Sequence, residues 1–121
     1  MPRPIHFELP ADQPERAVKF YTEVFGWKIQ SWGGPGPYWL VDTGEGEPGI
    51  HGAIALREEP VTHTVNTISV PSLDESLAKI VAAGGKVLEP RSTIPGVGYH
   101  AYCQDTEGNV FGILQGDPSA G

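Results

Sequence analysis

The feature that most constrains this chain is a fold-level internal repeat. An offset of 59 residues places Leu9 on Ile68, Val18 on Leu77, Tyr21 on Ile80 and Gly26 on Gly85. Each half reads as a short strand, an amphipathic helix and three further strands. One such unit cannot cover its own sheet, so a repeat at this period outranks any single motif. The expectation is an α+β single domain of two tandem βαβββ modules, about residues 3–59 and 62–116, whose curved sheets face each other across a cleft. A chain of 121 residues is long enough to bury a core of that size.

Local signals carry the pattern. Ile5 to Leu9 alternates and meets Pro10, as a strand does before a break. Asp12 with Glu15 three residues on resembles an N-cap with a capping-box partner, and Pro14 suits a first helical turn. Ala17, Val18, Tyr21, Val24 and Phe25 then recur at helical spacing, and Gly26 is a natural stop. Trp27 to Trp32, Tyr38 to Thr43 and Ile50 to Arg57 follow as strands between glycine- and proline-rich turns. In the second half, Val65 to Val70 is a strand, Ser72 with Glu75 a capping box, and Leu73, Leu77, Ile80 and Val81 a helical stripe ended by Gly84 and Gly85. Lys86 to Glu89, Tyr99 to Gln104 and Asn109 to Gln115 complete the module, and the tail from Gly116 is expected to fray.

Composition excludes several function classes. Eight basic against 15 acidic residues leave a formal charge of −7, and the basic ones are scattered, so a nucleic-acid partner is not expected. No apolar run approaches a membrane span, and Met1 to Ile5 lacks the apolar core of a signal peptide, so a cytoplasmic protein is expected. Cys103 is the sole cysteine and lies in an apolar segment, which favours a packed thiol over a nucleophile. No nucleophile elbow, phosphate-cradling loop or cysteine pair is present, and no catalytic residue stands out.

Several short stretches, in order, resemble the vicinal-oxygen-chelate superfamily of glyoxalases, bleomycin-resistance proteins and dioxygenases. His6 to Leu9, Pro14 to Ala17 and Phe20 to Trp27 look like its first module. Gly84 to Val87, Ile94 to Gly98 and Asp105 to Gly112 look like parts of its second. The resemblance implies the two-module fold and single-domain homodimers. It does not choose among isomerases, dioxygenases, epimerases, thiol transferases and drug-sequestering proteins.

Metalloenzymes of this family hold a divalent ion with four side chains, two per module. The resemblance puts the first of these on His6 and the last, a glutamate, where Gly112 stands. The repeat mate of His6 is Val65, and aligning Ile50 to Ile54 with Val110 to Leu114 places Gly52 beside Gly112. Three of the four expected ligands are therefore missing. In the same alignment His51 falls on Phe111 and points away from the cleft; a shift of one residue would bring it beside His6 as a second metal candidate.

The residues that could line a ligand site are His6, Glu8, Trp39, Tyr99, His100 and Tyr102, with Trp32 and Tyr38 extending an aromatic wall. His63, after Pro60, belongs to the link between modules. Two functions stay open. One is a metal-free protein that binds a small, partly apolar or aromatic molecule. The other is a lyase- or dioxygenase-like enzyme with a divalent metal on His6, completed by His51 or His63 and waters, acting on vicinal substrate oxygens.

Overall fold

The computed structural model describes residues 1–121, all of the chain. It is α+β, with eight strands and two helices in the order strand, helix, three strands, twice over. The elements are β1 (Arg3–Ala11), α1 (Pro14–Phe25), β2 (Lys28–Ser31), β3 (Tyr38–Asp42), β4 (His51–Leu56), β5 (Val65–Ser69), α2 (Leu73–Ala82), β6 (Lys86–Ile94), β7 (Gly98–Gln104) and β8 (Val110–Gly116). Neither helix is long and apolar enough to cross a membrane. Contacts divide the chain into two compact units, His6–Val65 and Asn66–Gly121 together with Met1–Ile5.

In the first unit the strands run in the order β2-β3-β4-β1, with β1 parallel to β4 and the others antiparallel. Helix α1 packs its apolar stripe on one face. Ala17, Val18 and Tyr21 meet Phe7, Leu9, Ala11, Ile29, Trp39, Val41 and Ile54, with Trp27 stacked on Tyr21 at 5.1 Å. Gly26 closes the helix with φ 72°, a left-handed conformation that costs a glycine nothing, and returns its N–H to the Thr22 carbonyl.

The second unit repeats the plan as β5-β8-β7-β6. Val70, Leu73, Ala101, Cys103 and Ile113 form its core under α2, with Leu77, Ile80, Tyr99 and Phe111 packed around them. Ser72 caps α2 by accepting the Glu75 N–H, as the sequence suggested.

Four local expectations need correction. Asp12 does not cap α1; Gln13 holds that place without a side-chain bond, and Asp12 instead accepts the Arg57 guanidinium at 2.9 Å. Strand β1 carries through Pro10 to Ala11, since β4 continues beside it to Leu56. Strand β6 runs to Ile94, its register broken around Pro90 where a proline removes a ladder donor. The tail is tied down: Gly96 donates to the Ala120 carbonyl and Asp117 to that of Val97, and Ala120 is buried.

Candidate functional site

Strand alternation decides which side chains each sheet turns away from its helix. In the first module, Phe7 and Leu9 go to α1, so His6 and Glu8 take the opposite face. Likewise Trp39 and Val41 go to α1, and Tyr38 joins His6. On β4, Ile54 faces α1, which turns His51 and Ala53 to the helix-free face.

Three of these residues form a hydrogen-bonded group. His6 Nε2 lies 3.2 Å from the Tyr38 hydroxyl, and Tyr38 is also bonded to Glu8. Glu8 is only 4% exposed, an unusual position for a carboxylate and one that requires polar partners. Burial, then the Glu8 charge and the bond to Glu8, hold the Tyr38 phenol well above its ordinary range, so it stays protonated. Burial pushes the His6 imidazole down, favouring the neutral ring.

His51 is the Cα partner of His6 across the parallel ladder, the arrangement that the repeat alignment had argued against. Glu8 pairs with Ala53, and Thr67 with Gly112, so an unbroken 59-residue offset puts Ala53, not Gly52, in the place equivalent to Gly112. Gly52 faces α1, where a Cβ would meet the Phe7 ring at 2.5 Å. The His51 ring itself turns to the end of β3: its Nδ1 accepts the Thr43 N–H at 3.1 Å and lies 3.5 Å from the Asp42 carboxylate, with the side chain exposed.

In the second module Tyr99, Ala101 and Cys103 face α2, leaving His100 and Tyr102 on the helix-free face, rings 4.5 Å apart and edge-on. A Cβ at Gly112 would meet His100 Nε2 at 2.8 Å and the Thr67 hydroxyl at 3.0 Å. The absence of a side chain at Gly112 is what lets the imidazole and the buried hydroxyl occupy that space.

The six ligand-lining candidates therefore divide. His6 and Glu8 meet in one module and His100 and Tyr102 in the other, whereas Trp39 and Tyr99 pack against the helices, contrary to expectation. Tyr99 also carries the Arg91 guanidinium 4.1 Å over its ring. Thr67 was not among the candidates, and Tyr38 was expected only as part of the aromatic wall. Tyr38 precedes a tryptophan of opposite facing, and only the Val41 side of β3 tells the two apart. His63 is exposed in the segment before β5, beside the Thr62 hydroxyl.

The donor set does not fit the divalent metal that the resemblance implies. His6 engages Tyr38 through Nε2, His51 is turned to Thr43, and the Gly112 position is filled by His100 and Thr67. No three His, Cys, Asp or Glu side chains converge as a metal needs. A depression of about 620 Å³ lies elsewhere, over the start of α1, lined by Phe20, Tyr21, Arg16 and Arg57. It is broad and open, and Arg57 there is already neutralised by Asp12.

The family model of the glyoxalase/bleomycin resistance protein/dioxygenase superfamily matches residues 3–113. The chain belongs to that superfamily. A glyoxylase-like domain-containing protein of Didymella fabae is 33% identical over 112 residues, covering 88% of each chain. CFP32 of Mycobacterium tuberculosis, which carries a provisional glyoxylase name, is 31% identical over 117 residues. The match covers 92% of this chain and 43% of CFP32, so the chain spans less than half of that relative. Among solved structures, a hypothetical protein of Bacillus halodurans aligns with a TM-score of 0.71 at 12% identity over 99% of this superfamily member and 98% of that chain. Methylmalonyl-CoA epimerase of Mycobacterium tuberculosis aligns at 0.68 with 14% identity, covering 95% and 88%. At those identities the likeness is one of fold.

Proposed function

We propose that this superfamily member binds a small molecule without a metal, and that the ligand contacts the helix-free face of the first module around His6 and Tyr38. The observation that carries this reading is the closed Glu8–Tyr38–His6 group: the histidine that the family would use as a ligand is bonded to a protonated phenol. A phenol that remains protonated is a poor companion for a metal-bound imidazole, because a divalent ion calls for anionic oxygens around it. Placing Gly112 beside His100 and Thr67 supports the same reading, since no carboxylate can enter there without displacing both. The glyoxylase names of the relatives and the epimerase activity of a neighbour describe those proteins; they make a metal-dependent lyase the alternative to be tested.

Metal analysis of the purified chain and of His6→Ala separates the two. The expected outcome is less than stoichiometric Mn, Fe, Co, Ni, Zn and Mg in both, after equilibration with each ion. One tightly held equivalent that disappears in His6→Ala would replace this reading with the metalloenzyme.

A further inference from the structure

Apart from the face around His6 and Tyr38, the geometry points to a second binding site, on the α1 side of the first module, that takes a small aromatic monocarboxylate. The site is the depression of about 620 Å³ over the start of α1, a volume within the range of small-molecule pockets. All its walls belong to the first unit: the end of β1, the first two turns of α1, and Arg57, His63 and Thr64 after β4.

Its charge runs against that of the molecule. The chain carries −7 overall, yet the depression is lined by Arg16, Arg57 and His63 with Asp12 as its one acid. Asp12 is already engaged by Arg57, whose Nε donates to it at 2.9 Å while the two terminal nitrogens reach the Thr62 and Pro10 carbonyls. Arg57 is thereby a fixed and neutralised part of the wall. The Arg16 side chain makes no hydrogen bond or ion pair. One guanidinium is left unneutralised, and its planar fork matches a carboxylate in two parallel bonds. A single free positive charge suits a monoanion; a polyanion would meet the repulsion of the remaining surface.

The aromatic part follows from Phe20, which lines the same depression four residues after Arg16. Residues at that spacing are neighbours on a helix surface, about 6 Å apart. The Phe20 ring is held edge-on to Tyr21, centroids 5.1 Å apart, and is still 55% exposed. A planar hydrocarbon laid against that ring removes apolar surface of both from water. Ring and carboxylate of one small molecule are then met by adjacent side chains.

NMR titration of the full ¹⁵N-labelled chain with 2-naphthoate and with neutral 2-naphthamide tests this, following backbone amides and arginine Nε–H groups. The naphthoate should saturate with a Kd of about 1 mM or tighter, which a probe of about a dozen heavy atoms reaches at ordinary efficiency. It should move the Arg16 Nε–H and the amides of the first two turns of α1. The naphthamide should bind about fivefold more weakly, the effect of one partly exposed charge pair. Arg16→Gln should bring the naphthoate down to the naphthamide level, and Phe20→Ala should weaken both probes. Both side chains are exposed, and the amide spectrum of each variant checks its fold. On the native chain, added salt should erase the advantage of the acid, a readout that needs no variant. No saturation, equal binding of the two probes, or an Arg16→Gln that still prefers the acid overturns the site. Shifts confined to His6 and Tyr38 overturn it as well, and assign the ligand to the other face. The metal content of His6→Ala is independent of all these results, so the two readings fail separately.

Discussion

Gly112 illustrates how a missing side chain can place two polar groups. Its absent Cβ is the space in which His100 Nε2 and the Thr67 hydroxyl lie. Gly112→Ala should therefore cost about 1–3 kcal/mol, the usual penalty of forcing a methyl into packed structure. Gly116, at the end of the same strand, has nothing within 4 Å of a Cβ, so Gly116→Ala should change stability by less than about 0.5 kcal/mol. Urea denaturation of both variants checks this; a silent Gly112→Ala would mean that the two groups do not fill that space. Cys103 gives a second residue-scale expectation. It is fully buried, and burial pushes its thiol up, so the native chain should resist a thiol-reactive disulfide until denaturant is added. Rapid labelling without denaturant would refute it. Residue facing was the part least legible in the sequence. Adjacent aromatics such as Tyr38 and Trp39 carry the same hydrophobic signal, and only the strand phase assigns one to the helix and the other to His6.

At the scale of elements, the sequence displayed its helices clearly because their apolar stripes and glycine stops are local signals. Their caps were half visible. Ser72 with Glu75 could be read directly, but the Leu73 N–H is taken by Gln115 Oε1 at 2.8 Å, a partner 42 residues away that no local pattern announces. Ser72→Ala should lower stability by about 1 kcal/mol in chemical denaturation. The turn between β7 and β8 is organised by Asp105, whose carboxylate accepts the side-chain amide of Asn109 and the backbone N–H groups of Asn109 and Glu107. These bonds, the Asn109 amide first, hold the carboxyl below its ordinary range. The folded chain thus binds this proton less readily than the unfolded chain does. The stabilisation is complete above the ordinary Asp value of about 3.9 and is lost as pH falls through the lower folded value. Asp105→Ala should lower Tm near neutral pH, with the difference from the native chain narrowing on acidification. Calorimetry across that range tests it, and a difference that widens in acid would contradict the assignment.

For the whole molecule, the repeat made the architecture legible, since a uniform 59-residue offset relates β1–β4 and β5–β8 register for register. Its one failure, at Gly52, came from letting the offset slip by a residue in the last strand of a module. What the repeat could not convey is the balance of charge over the assembled surface. Fifteen acidic against eight basic residues leave seven unbalanced negative charges. Against them stand three ion pairs with exposed partners: Lys19–Glu23, Arg57–Asp12 and Arg91–Asp74. Salt weakens both the general repulsion and these pairs, so its net effect depends on which is larger. Exposed pairs contribute little each, whereas repulsion acts between every pair of excess charges within a screening length. That length shrinks from about 30 Å at about 0.01 M to about 8 Å at about 0.15 M, from the span of a small domain to a near-neighbour distance. Repulsion should therefore lose more than the pairs do, and Tm should rise by several degrees over that range in sodium chloride. The same rise in potassium chloride would assign it to screening and not to a bound ion. A Tm that falls with salt would mean that the three pairs outweigh the seven unbalanced charges.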